Sequence, residues 1–356
     1  ILVSLMIIKK ISSFVASIII LAISLTIFTF NSNAQVNNSK NFSNDEGVLS
    51  IMYHRFNEFK YPSTNISMNV FISHIGLIKE SNLSFYHPKK FVEEFNNSKK
   101  NKKILLTIDD GFRSFYDNAW PYLKENQIPF ILFVSTEPVG NSGYMTWEQI
   151  KEIDKYEFTV IGHHSHSHDY LIDKSQDEFL NDIKTADQIF QNELGYIPKI
   201  FSYPFGEYSK SMKDYISQKF EIAFGQHSGI IDLNKDKFEL PRFPINEKYG
   251  ELSRFKSIVK YFPLEYESLK PEEKKLSNNN NPPNFKVKFF DTQKNLNNIN
   301  CYSNEGDKWE KSNISIINNE LTIKFREPFL PRRGRVNCSL NDNGKWRWFG
   351  TQFIIR

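Results

Sequence analysis

The sequence is short of cysteine: two in 356 residues, Cys301 and Cys338, both near its C-terminal end. Neither a disulfide nor a thiolate can therefore belong to the chain before them, and its chemistry must use other groups. A dominant charge is also lacking, 45 Lys+Arg standing against 41 Asp+Glu, which leaves no overall field for nucleic acid. No internal repeat is visible. Only residues 11–30, behind Lys9 and Lys10, are apolar over a length able to cross a bilayer. Ser32-Asn33-Ala34 before Gln35 fits the small-x-small pattern of secretory cleavage. Residues 1–34 are thus expected to direct export, either cleaved to leave a periplasmic or secreted protein or retained as an anchor at the cell envelope.

What is present is a histidine cluster. Four of the eight histidines, His163, His164, His166 and His168, fall within IGHHSHSHDYL (161–171), directly after an apolar run. Solvated polar loops also hold such clusters. The four-residue spacing of His164 and His168, however, puts both imidazoles on one face of a single helical turn, able to share an ion if a carboxylate comes from elsewhere. TIDDG at 107–111 offers one. Residues 104–108 read as a fully buried strand with Asp109 and Asp110 at its carboxyl end, where parallel α/β proteins build their sites. Asp-Asp-Gly alone is an ordinary turn; both signals within one α/β pattern favour a metal site.

Short apolar runs at 48–53, 104–108, 130–134, 158–161, 199–203, 220–224 and 239–243 read as strands, several continuously apolar and so buried on both faces. Helical stretches separate most of them, the clearest at 175–194 with Phe179, Ile183, Ala186, Ile189 and Phe190 on one face. Alternating βα units that close on themselves argue a TIM-like (β/α) barrel over 47–268, after a linker at 35–46. Residues 269–283 are polar and asparagine-rich, which predicts a second linker. Residues 284–356 lose the helical period and read as a small all-β, sandwich-like domain. There Cys301 and Cys338 are expected to pair, closing a loop worth about 3–4 kcal/mol on the chain-entropy model. Trp346 and Trp348 alternate on one predicted strand, as a sugar platform or as core. Residues 281–356 hold thirteen Lys/Arg against seven Asp/Glu, a basic surface able to touch an anionic envelope, or a dispersed solvated face.

TIDDG resembles the first motif of the polysaccharide deacetylases, the NodB-homology domain of carbohydrate esterase family 4. His164-Ser165-His166-Ser167-His168 resembles their second motif and Phe201-Ser202-Tyr203-Pro204-Phe205-Gly206 their third. YHRF, DDGFRSFYDNAWPYLKENQIPFILFV and YMTWEQI look most like the branch that deacetylates poly-N-acetylglucosamine. The resemblance spans about residues 48–245 and implies a distorted NodB-type barrel with fewer than eight regular strands. It further implies one divalent metal, zinc first and nickel, cobalt or iron as alternatives, held by Asp110, His164 and His168. Asp109 becomes the base acting on a metal-activated water, and the Phe205 N–H a donor to the oxyanion; Tyr203 and Pro204 would line the substrate groove.

Two departures stand out. The arginine of the third motif, which orients the base, is Ser202 here, and Arg242 at the end of the last predicted barrel strand either replaces it or is a surface arginine beside a proline pair. The family's late histidine, the general acid, has no clean match; His227 is either the candidate or a loop histidine with no role, and His54 is placed in the substrate groove. The expected activity is removal of N-acetyl groups from an exported or cell-envelope N-acetylhexosamine glycan. An O-acetyl esterase or a non-catalytic carbohydrate binder on the same barrel are the alternatives.

Overall fold

Continuously apolar strands flanked by amphipathic helices can bury both faces of a parallel sheet, and the chain does so. The computed structural model describes residues 47–95 and 102–356. The expected export signal and the linker at 35–46 lie outside these residues. Among the described residues no helix is long and apolar enough to cross a membrane. Seven parallel strands, β1 (Val48–Tyr53), β2 (Lys103–Ile108), β3 (Phe130–Val134), β4 (Thr159–His163), β5 (Ile200–Ser202), β6 (Ile222–Phe224) and β7 (Phe243–Pro244), run in the order β7-β1-β2-β3-β4-β5-β6. The short strand Ser84–Phe85 adds to β2. Between β6 and β7 only a single parallel bridge, Phe224 to Leu240, joins the ends, so the curled sheet is a distorted barrel.

The helix Gln176–Leu194 shows how local sequence sets the packing. Ser175 and Glu178 form a capping box at its start, and Gly195 ends it at φ 80°, a conformation only glycine adopts without strain. It buries Phe179, Ile183, Ala186 and Phe190, and also Asp182 and Asp187, two carboxylates that the histidine loop uses.

The strand-rich remainder forms two sheets. One holds β8 (Phe262–Pro263), β10 (Lys275–Leu276), β12 (Ile299–Ser303), β13 (Glu310–Lys311), β16 (Arg332–Asp342) and β17 (Lys345–Ile355). The other holds β9 (Ser268–Lys270), β11 (Phe285–Lys288), β14 (Asn313–Ile317) and β15 (Glu320–Lys324). They share one core that includes Phe285, Val287, Leu321, Val336, Leu340 and Phe353. Cys301 and Cys338 face each other across β12 and β16 and are disulfide-bonded. The stretch at 269–283, read as a linker, carries β10 and the end of β9; β8 and β10 run parallel to β17. The sheets also meet the barrel: Ile354 is buried with Phe201, Tyr203 and Phe220, and Trp348 stacks on Tyr261 at 5.4 Å and 8°. Of the proposed tryptophan pair only Trp346 is exposed.

His74 sits in the barrel wall, fully buried, its Nδ1 2.8 Å from Tyr53 Oη and its Nε2 2.8 Å from the Gly250 carbonyl oxygen. Its ring stacks on Phe255 at 3.8 Å. Burial lowers its pKa to about 4, against the Gly250 carbonyl and with the help of Arg254. The unfolded chain therefore binds a proton near pH 6.5 that the folded chain refuses until about pH 4. Its contribution to stability is complete above pH 6.5 and lost as the pH falls through that window, about 3 kcal/mol in all. Urea midpoints measured from pH 7 to 4 should fall more steeply for the native chain than for His74→Gln; parallel slopes would refute this.

Candidate active site

Asp109 and Asp110 leave the carboxyl end of β2. Asp110 and Gly111 both take left-handed backbone, φ 75° and 71°, folding the chain back at once so that the two carboxyl groups stay under the barrel mouth. Asp109 is fully buried and its N–H donates to the Tyr53 carbonyl at 2.9 Å.

The histidine pair comes from β4, next but one in the sheet. His164 directly follows that strand, and its Nδ1 lies 2.7 Å from the Ser202 carbonyl oxygen. That bond requires the proton on Nδ1 and leaves Nε2 with a free lone pair, as metal-ligating imidazoles are commonly held. The expected helical turn is absent. Ser165 and His168 instead adopt positive φ, 69° and 54°, and a loop returns His168 to the same point. Asp182 of the helix Gln176–Leu194 holds this loop, accepting from the N–H groups of His166 (2.8 Å) and Ser167 (3.0 Å). His163 is buried beside Asp187 and His166 Nδ1 meets Thr136 Oγ1, so both serve as neighbours.

Asp110 Oδ1 lies 3.3 Å from His164 Nε2 and 3.1 Å from His168 Nε2. These three groups offer ligand atoms all within 4.8 Å of one another. Asp110 Oδ1 and His164 Nε2 are buried without a hydrogen-bond partner. Such orphaned atoms converging from one carboxylate and two imidazoles fit a divalent ion with positions left open. Burial opposes the charge on Asp110, but His168 and His164 outweigh it and hold its carboxyl well below the ordinary range.

Arg242 stands just before β7 with its side chain fully buried. Nη1 donates to Asp109 Oδ1 at 2.6 Å and Nη2 to Asp109 Oδ2 at 2.8 Å, a two-pronged ion pair. The same guanidinium donates to Thr107 Oγ1 (3.1 Å), Ser202 Oγ (2.8 Å) and the Gly225 carbonyl (2.9 Å). Ser202, at the position of the missing arginine, thus receives the arginine from another strand.

Phe205 lies in the turn Pro204–Gly206 at φ 58°. Gly206 follows at φ 68°, where a Cβ would come within 2.4 Å of the Gln226 nitrogen, so only glycine fits. The Phe205 ring packs 4.7 Å from His168 and 4.1 Å from Tyr170. Tyr203 and Pro204 do not line a groove: both are buried, Tyr203 against Phe201 and Tyr208.

His227 is not beside the ligand cluster's carboxylates. It lines a cavity of about 480 Å³ with Tyr208, Lys213, Glu239 and Lys274, between barrel and β-sheets. Burial lowers its pKa to about 4, and its charged neighbours are Glu239, Lys274 and Arg242. The histidine whose field is set by Asp110, Asp109, Arg242 and His164 is His54, with its pKa lowered chiefly by burial. Its place after β1, at the same barrel end, was the available signal. A rim that sequence reasoning missed lies nearby: Arg55 sits over Phe112 at 3.4 Å and Tyr61 at 4.1 Å, and Tyr144 packs on Phe112.

A distorted parallel barrel with an Asp-Asp pair and two histidines converging at its carboxyl end is similar to the solved polysaccharide deacetylases. The polysaccharide deacetylase profile matches residues 96–221. A poly-beta-1,6-N-acetyl-D-glucosamine N-deacetylase of Staphylococcus epidermidis is 23% identical over 281 residues, spanning 69% of this chain and 94% of the relative. IcaB from Ammonifex degensii superposes with a TM-score of 0.52 at 23% identity, over 60% of this chain and 97% of that one. Streptococcus pyogenes deacetylase PplD, solved with acetate, gives 0.52 at 20% identity over 58% and 95%.

Proposed function

We propose that this protein is a divalent-metal-dependent N-deacetylase of an exported N-acetylglucosamine polymer of the poly-beta-1,6 type. The carrying observation is the convergence of Asp110, His164 and His168 beside an Asp109 that Arg242 holds with two hydrogen bonds. A pure carbohydrate binder has no use for a clamped carboxylate next to a ligand triad. The substrate class is supported by the activity named for the staphylococcal relative.

A divalent ion held by Asp110, His164 and His168, zinc before nickel, cobalt or iron, would supply Lewis acidity to the acetamide carbonyl and to a water. Asp109 takes the proton of the attacking water while Arg242 fixes the carboxylate plane and keeps it from turning into a further ligand. The Phe205 N–H, presented by the left-handed turn, donates to the oxygen that gains charge. When the C–N bond breaks, the leaving nitrogen needs a proton, and we assign its delivery to His54 rather than to His227. Acetate and a free amine are the products.

The test is acetate release from β-1,6-linked N-acetylglucosamine oligomers by the full chain after metal stripping and reloading, beside O-acetylated xylan. Release from the oligomers that returns only with metal supports the proposal. Release from xylan alone would make it an esterase, and binding without release a lectin-like barrel.

A further inference from the structure

The turn that presents the Phe205 N–H is held in place by residues far outside the matched domain. A non-glycine residue at φ 58° stores strain and persists only where its surroundings fix it. Directly after the turn comes Glu207, whose side chain is almost completely buried. A buried carboxylate is costly unless paired, and β16 supplies the pairs. Arg332 Nε lies 3.1 and 3.0 Å from the two Glu207 oxygens and its Nη2 2.5 Å from Oε2. Arg333 Nε donates to Oε1 at 2.8 Å. From β17, Gln352 Nε2 reaches the Gly206 carbonyl at 3.4 Å, its own amide oriented by Arg335 at 3.0 Å.

The aromatic side of the turn is held by the same strand. Tyr170 stacks on Phe205 at 4.1 Å, and the Arg332 guanidinium lies 3.8 Å from the Tyr170 ring centre. Two groups so close to one ring must cover its opposite faces. Arg332 Nη1 also pairs with Asp173 at 2.6 Å, just beyond Tyr170. A chain of ring contacts therefore runs from His168, tilted 58° to Phe205, through the stacked Phe205 and Tyr170 to Arg332.

We propose that Arg332 and Arg333 are positioning residues for the deacetylation, so that the β-sheet module completes the active site by bracing the Phe205 turn. The inference rests on the proposed deacetylase function. The module is then not a detachable accessory, because its arginines set where the Phe205 N–H points. A brace of that kind acts on the transition state more than on ground-state binding, and the metal triad keeps Asp110 and His164, which the brace does not touch.

Single removal of an arginine would leave the buried Glu207 charge paired by the other one alone, so the decisive variant neutralises the whole cluster: Glu207→Gln/Arg332→Gln/Arg333→Gln in the full metal-loaded chain, with Arg333→Lys as conservative partner. For β-1,6-linked N-acetylglucosamine oligomers, kcat should fall about tenfold to a hundredfold in the triple variant. KM should stay within about twofold and bound metal should be unchanged. Amide hydrogen exchange over 203–208 should accelerate, while exchange over β2 and β4 stays as it was. Arg333→Lys should keep most of kcat. A folded triple variant with undiminished kcat, or a fallen kcat with no faster exchange over 203–208, overturns the proposal. If the native chain releases no acetate from any oligomer yet exchange still accelerates in the variant, the deacetylase reading fails and the brace itself stands.

Discussion

Asp109→Asn is expected to keep its metal and lose acetate release by about a thousandfold, within the range general-base catalysis supplies. His164→Ala and Asp110→Asn should instead lose the metal. The distinction follows from geometry: Asp110 Oδ1 is the carboxylate atom between the two imidazoles, whereas both Asp109 oxygens face Arg242 and Oδ2 stands 3.9 Å from His164 Nε2. One complication must be controlled. Removing the Asp109 charge leaves a buried guanidinium without its partner, which costs about 3–5 kcal/mol. Turnover is therefore to be measured well below the shifted unfolding midpoint, with metal content by elemental analysis on the same sample. Near-normal turnover in Asp109→Asn would remove it as the base, and metal loss there would make it a ligand.

Much of this site was legible because its parts are local. TIDDG and the histidine run each end a largely buried strand, and the carboxyl ends of parallel strands meet at one barrel rim. The spacing of His164 and His168 pointed to a shared ion for the wrong reason: a left-handed loop, pinned by Asp182 from another element, does what a helical turn was expected to do. No rule of spacing within the loop encodes that. His227 misled because it follows a strand at the proper end yet belongs to a cavity on the flank, while His54 was in view and placed only in the groove. The polar stretch at 269–283 read as a linker since its strands pair with residues far along the chain, Lys275 and Leu276 with Ile354 and Ile355. For the same reason nothing tied Glu207 to Arg332 and Arg333. Contacts across such separations depend on how the β-sheets dock, which composition does not show.

Arg242→Lys should reduce kcat by about tenfold to a hundredfold and leave metal content and KM near native. Lysine preserves the positive charge that Asp109 needs in a dry site, so the fold survives. It has one nitrogen where arginine has three, and those three now serve five acceptors: both Asp109 oxygens, Thr107 Oγ1, Ser202 Oγ and the Gly225 carbonyl. An ammonium group can meet one Asp109 oxygen but cannot hold the carboxylate plane, and a base free to rotate beside a cation drifts toward coordinating it. Arg242→Ala differs in kind, since it strands the Asp109 charge in a buried site and should cost about 3–5 kcal/mol of stability. The informative rescue is Ser202→Arg/Arg242→Ser, which returns the guanidinium to the third motif. Recovery of kcat above that of Arg242→Lys would show that the site needs the planar fork whichever strand it comes from. A fully active Arg242→Lys would show that charge alone is enough.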